Sequence, residues 1–85
     1  MKTFRYTVKD PVGIHARPAG LLAKKAREYG SEIVIQKGER SASATKLMAV
    51  MGLCIRCGDT VTVSVTGEDE DRAAEEMERF FAENF

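Results

Sequence analysis

Near the end of the chain, Thr60 to Thr66 set Val61, Val63 and Val65 at every second position between hydroxyl side chains. Successive side chains of a strand point to opposite faces, so this segment has one apolar and one wet face. Such a strand is not stable alone: it needs partner strands at its edges and a cover over its valines. The rest of the chain has to supply both. Phe4, Tyr6 and Val8 alternate with Thr3, Arg5 and Thr7, and Asp10-Pro11-Val12-Gly13 breaks that second strand. Ile33-Val34-Ile35 and Arg40–Ala44, joined by the turn Lys37-Gly38-Glu39, make two more. The cover comes from three helical patterns. From Ala16 to Tyr29, Ala19, Leu22, Ala23 and Ala26 recur at three- and four-residue spacing. Pro18 falls in the first turn, where it is tolerated, and Gly30 is a natural stop. Lys46 to Leu53 reads as a short helix with Leu47, Val50 and Met51 on one face. After Gly67, Ala73, Ala74, Met77, Phe80 and Phe81 share a stripe, and the carboxylates Glu68 to Asp71 suit the positive end of that helix.

The order is therefore β-α-β-β-α-β-α. Right-handed crossovers and one-sided helices favour an α+β open-faced sandwich, a four-stranded antiparallel sheet with three helices on one face. At 85 residues the expectation is a single domain spanning 1–85. No apolar run reaches membrane-spanning length and no signal-peptide pattern opens the chain, so the expectation is a cytoplasmic protein without membrane insertion. Thirteen basic and thirteen acidic residues cancel, and no global field recruits nucleic acid. The cancellation hides a polarity. Residues 1–56 hold eleven Lys/Arg against four Asp/Glu, and residues 57–85 hold two against nine.

His15 is the only histidine, and it lies where the first loop meets the first helix. A helix start offers unpaired backbone amides and partial positive charge, a ready anion site. Arg17 adds a guanidinium able to grip a pair of phosphoryl oxygens. Ala16 and Pro18 complete the helix N-terminus, and Gly13 lets the chain turn tightly before the histidine. These parts suit a histidine that becomes phosphorylated, its neutral imidazole acting as nucleophile while amides and Arg17 receive the transferred charge. From the spacing alone, a solvated histidine beside a helix cap is the more ordinary reading.

Gly13-Ile14-His15-Ala16-Arg17-Pro18-Ala19 resembles the active-site signature of HPr, the histidine-containing phosphocarrier family of the bacterial phosphoenolpyruvate-dependent sugar phosphotransferase system. The resemblance extends over nearly the whole chain, including Tyr29 and Leu47-Met48-Ala49-Val50-Met51-Gly52-Leu53. It implies that His15 accepts a phosphoryl group from enzyme I and passes it to the A domain of an enzyme II. The chain would then be a stoichiometric carrier, not an enzyme, working as a monomer with no cofactor and no metal. It also implies a docking surface of Arg17, Gly20, Leu21, Lys24, Leu47, Met48 and Met51. A helix this short cannot bury Leu47, Met48 and Met51 together with Val50 and Leu53, and Met48 is the residue most expected to face solvent. A regulatory module that binds partners according to His15 phosphorylation, as in nitrogen-related relatives, is the alternative implied by the same resemblance.

The chain departs from the family at two places. Gram-positive members carry a regulatory serine at the start of the second helix, and here that position is Lys46, with Thr45 beside it and Ser43 nearby. Members often have glycine where this chain has Cys54, and a left-handed conformation there would cost a cysteine about 1 kcal/mol or more. Cys54 and Cys57 have C-x-x-C spacing, but a structural zinc site wants four ligands, and a thioredoxin-type pair opens a helix instead of following one. Without an export signal, both read as reduced thiols.

Overall fold

In the computed structural model, which describes residues 1–85, the chain runs β1 (Lys2–Thr7), α1 (Ala16–Ala26), β2 (Glu32–Lys37), β3 (Arg40–Ser43), α2 (Leu47–Met51), β4 (Thr60–Thr66) and α3 (Glu70–Asn84). The four strands form one antiparallel sheet in the order β1-β4-β2-β3. The valine-alternating strand is therefore central. Its register sets Val63 between Phe4 and Ile35, Val61 opposite Tyr6 and Val65 opposite Ile33, all on the face that the helices cover. The other face is polar: Thr3 lies opposite Ser64, Arg5 opposite Thr62, and Thr7 and Thr60 bond through their hydroxyls at 2.8 Å.

The helices close the apolar face. α1 buries Pro18, Ala19, Leu22, Ala23 and Ala26, and α3 buries Ala73, Met77 and Phe81. Phe81 meets Phe4 and Tyr6 edge-on, each ring centroid 5.7 Å away. Lys24 and Lys25 in the last turn of α1, and Glu70 and Asp71 in the first turn of α3, each complement the local helix dipole.

Several boundaries differ from the sequence reading, the smallest being that β1 ends at Thr7 before Val8 and β3 at Ser43 before Ala44. α1 stops at Ala26 and not at Tyr29, because Tyr29 and Gly30 turn away to reach α3. The Tyr29 hydroxyl donates to Glu76 Oε1 at 2.5 Å, and Lys25 and Arg72 each lie over its ring, 5.7 and 5.3 Å from the centroid. The Gly30 amide donates to Asp69 Oδ2 at 2.9 Å, and the Ser31 hydroxyl donates to Asp69 Oδ1. These contacts replace the helical turn the periodicity suggests. α2 is limited to Leu47–Met51: Lys46 is extended, and the Leu53 amide bonds back to Val50 in a tighter turn. β2 is longer than its apolar run, reaching Glu32 and Lys37.

The staple between the α1–β2 turn and α3 predicts the acid behaviour of the fold. The Ser31 hydroxyl holds the Asp69 carboxyl below its ordinary 3.8, and the Tyr29 hydroxyl holds Glu76 below 4.5. A depressed carboxyl favours the folded state above its ordinary pKa, and that contribution disappears as pH falls through the lower folded value. The melting midpoint is expected to begin falling as pH drops through the ordinary 4.5 of Glu76 and to keep falling below the ordinary 3.8 of Asp69. Asp69→Asn should flatten that acid limb, and an unchanged acid limb would count against the staple.

Candidate functional site

The loop after β1 is fixed before it reaches the histidine. Asp10 Oδ1 accepts the Val12 amide at 2.8 Å, and the Asp10 carbonyl accepts the Gly13 amide at 2.9 Å. Gly13 then adopts φ +78, a conformation open to glycine. Space excludes any other residue as well. A Cβ on Gly13 would lie 2.5 Å from the Ile55 carbonyl oxygen and 2.8 Å from Arg56 Cα. The Ile14 amide donates to that same Ile55 carbonyl at 3.1 Å, while its side chain is buried. Two adjacent residues therefore clamp the chain against the α2–β4 loop, and His15 comes next.

His15 is the N-cap of α1, with φ −111 and ψ 179, and its carbonyl accepts the Ala19 amide at 2.9 Å. The half-buried imidazole makes no capping hydrogen bond. Its nitrogens are free for chemistry. The amides of Ala16 and Arg17 stand in the first turn, where no intrahelical acceptor exists, and Pro18 has no amide to leave unpaired. Arg17 is exposed and joins none of the ion pairs of the fold. An exposed, unpaired guanidinium and two first-turn amides thus lie within two residues of one free imidazole, an arrangement suited to a dianionic group.

α1 packs beside α2, so their outer faces are contiguous with this helix start. Met48 is 80% exposed and Leu21 50%, whereas Leu47 and Met51 are half-buried and Val50 and Leu53 enter the core. Met48 is thus the methionine left outside. Lys24 is exposed, and Gly20 is half-buried with open space where a Cβ would stand. Val12, 67% exposed in the loop before His15, is an apolar neighbour that the sequence reading missed. Its only signal was the Asp10-Pro11 turn, which displays the following residue at a loop tip. The fold's one cleft is lined by Lys25, Glu76, Arg79, Phe80 and Glu83, none of them in this group.

Lys46 is the extended, exposed residue at the start of α2. The hydroxyls of Ser43 and Thr45 bond to each other at 2.9 Å, and Arg27 Nη2 donates to the Thr45 carbonyl at 2.9 Å. Cys54 ends the turn after α2 with φ 52, the only non-glycine residue at positive φ. The left-handed conformation expected at this position is present, with the strain it brings a cysteine. Cys54 and Cys57 are both exposed free thiols.

The family model described as the phosphorylation site of the phosphotransferase-system HPr component matches residues 2–83. The phosphocarrier protein HPr of Lysinibacillus sphaericus is 43% identical over 83 residues, covering 98% of this chain and 94% of that protein. Among solved structures, HPr-C-His from Thermoanaerobacter tengcongensis superposes with a TM-score of 0.93 at 30% identity, covering 100% of this chain and 96% of the other. The histidine-containing phosphocarrier protein of a mycoplasma gives 0.90 at 34% identity, over 93% and 90% of the two chains. A fold, a helix-start histidine and a sequence that agree from end to end place this chain in the HPr family, the phosphocarriers of the sugar phosphotransferase system.

Proposed function

We propose that His15 is the residue that carries the phosphoryl group, and that residues 1–85 form one cytoplasmic, monomeric carrier domain that works without a cofactor. The observation that carries this reading is the free imidazole at the N-cap of α1, beside the open Ala16 and Arg17 amides and an unpaired guanidinium. A ring nitrogen of His15 attacks the phosphorus of phospho-enzyme I. The phosphorus–nitrogen bond on the donor breaks, and its electron pair returns to the donor. The phosphoryl oxygens then face the Ala16 and Arg17 amides and the Arg17 side chain. Transfer to the A domain of an enzyme II repeats the same displacement with the roles exchanged. Because the transition state is loose, alignment and charge stabilisation supply most of the catalysis, and a small exposed surface suffices.

Docking would use Gly20, Leu21, Lys24, Leu47, Met48 and Met51 around that centre. An unbranched thioether adapts to more than one partner, which suits the exposed Met48. Incubation with phosphoenolpyruvate and enzyme I, followed by intact-mass measurement, tests the reading. One added phosphoryl group is expected, and a chain that keeps its original mass would overturn it.

Lys46 bears on regulation. It has no hydroxyl to phosphorylate, so the chain should be indifferent to the ATP-dependent kinase that modifies serine at this position in Gram-positive relatives. A fixed positive charge should leave docking to enzyme I permanently open, its own contribution being only ~0.2–1 kcal/mol for an exposed pair. Two measurements check this. Incubation with that kinase and ATP should add no phosphate, and label at Ser43 or Thr45 would mean that the control point has moved. Lys46→Ser should be phosphorylated by enzyme I no faster than the natural chain.

A further inference from the structure

We propose that Cys54 and Cys57 form a reversible intramolecular disulfide that displaces the backbone holding His15, so that thiol oxidation slows phosphoryl acceptance. The proposal rests on the His15 reading above. Both cysteines are exposed and in no disulfide, in the loop joining α2 to β4. The two residues between them, Ile55 and Arg56, are those against which Gly13 lies without room for a methyl group. The Ile55 carbonyl is also the acceptor that holds the Ile14 amide. A bridge between the cysteines would therefore enclose the two residues that clamp the active-site loop.

The surroundings leave that loop little slack. Lys37 Nζ donates to the Cys54 carbonyl at 2.7 Å, and the Arg56 amide donates to Asp59 Oδ2 at 2.8 Å. The Cys57 thiol lies 3.7 Å from the Lys9 carbonyl, at the root of the His15 loop. A disulfide confines its Cα atoms to about 4.4–6.8 Å, which imposes its own backbone angles on the residues it encloses. Neither Ile55 nor Arg56 can shift toward Gly13 without pushing it, so the rearrangement reaches Ile14 and His15 directly.

The oxidant is a small-molecule disulfide. One cysteine thiolate attacks a sulfur of that disulfide, forming a mixed disulfide and releasing a first small thiol. The second cysteine thiolate attacks the protein sulfur of the mixed disulfide, closing the bridge and releasing a second small thiol. The two cysteines lose two protons and two electrons, and the oxidant gains them. An exposed bridge of this kind is reducible by the same thiol pool, which makes the change reversible.

Oxidised glutathione is the probe. Intact mass should show the loss of two hydrogens with no retained adduct, whereas Cys54→Ser and Cys57→Ser should each retain a glutathione adduct. Phosphoryl uptake from enzyme I should slow at least ~10-fold in the bridged protein and recover with dithiothreitol, an effect of the size expected when a catalytic group is misplaced. The double serine variant should be insensitive to the oxidant. Adducts without a bridge, or a bridge that leaves the rate unchanged, would overturn the proposal. A reduced protein that takes up no phosphate would instead overturn the His15 reading, while the mass measurement still reports the bridge.

Discussion

With His15 replaced by alanine, the chain should take up no phosphoryl group from phosphorylated enzyme I. His15 is the only histidine, and on the proposed reading its imidazole is the nucleophile, at the N-cap of α1. No second imidazole is present to form the phosphohistidine expected of the natural protein. The fold should survive, since the ring makes no capping hydrogen bond and its backbone carbonyl still accepts the Ala19 amide. Intact mass after incubation with phosphoenolpyruvate and enzyme I reads the first expectation, and thermal melting reads the second. Phosphate retained by a folded His15→Ala protein would refute the assignment.

Arg17→Ala should leave the fold unchanged and slow transfer in both directions. Loss of one positioned donor to a developing charge costs on the order of 10²–10³-fold in rate. Stability should hold, because Arg17 is exposed and joins no ion pair that the substitution could break. Arg17→Lys separates charge from shape: it keeps the positive charge and loses the planar fork, so it should restore only part of the rate. Rapid-quench kinetics with enzyme I and with an enzyme II A domain check both directions. Full rates in both directions for Arg17→Ala would reduce Arg17 to a solvated surface residue.

The strand cores and the start of α1 were legible because each rests on a local rule. Period two in Val61, Val63 and Val65 names a strand, and His15 before Ala16-Arg17-Pro18 names a helix start. What was not legible depends on partners distant in the chain. Tyr29 and Gly30 read as the end of a helix, yet Glu76 and Asp69, some forty residues on, draw them out of it. The strand order is of the same kind, since nothing between Lys2 and Thr7 says that their partners are Thr60 to Val65. At the site, Gly13 was legible as a turn residue. The need for its missing side chain comes from Ile55 and Arg56, and only the folded backbone brings them there. Cys54 shows the converse, a left-handed residue anticipated from resemblance alone, because cysteine carries no conformational signal of its own.

The pairing of the first strand with the last has a consequence for how the protein is made. Every residue of β1 finds its partner in β4, Lys2 with Val65 and Thr7 with Thr60, and only β2 and β3 are joined by a short turn. A two-stranded hairpin is marginal in water, and distant strands must close a long loop before their contacts repay its entropy. A chain emerging from the ribosome N-terminus first therefore exposes His15 long before anything can hold it. The Ile55 carbonyl that fixes Ile14, and the central strand that carries the core, are synthesised late. The contacts that fix the backbone before His15 are therefore complete only once the last strand has paired with the first.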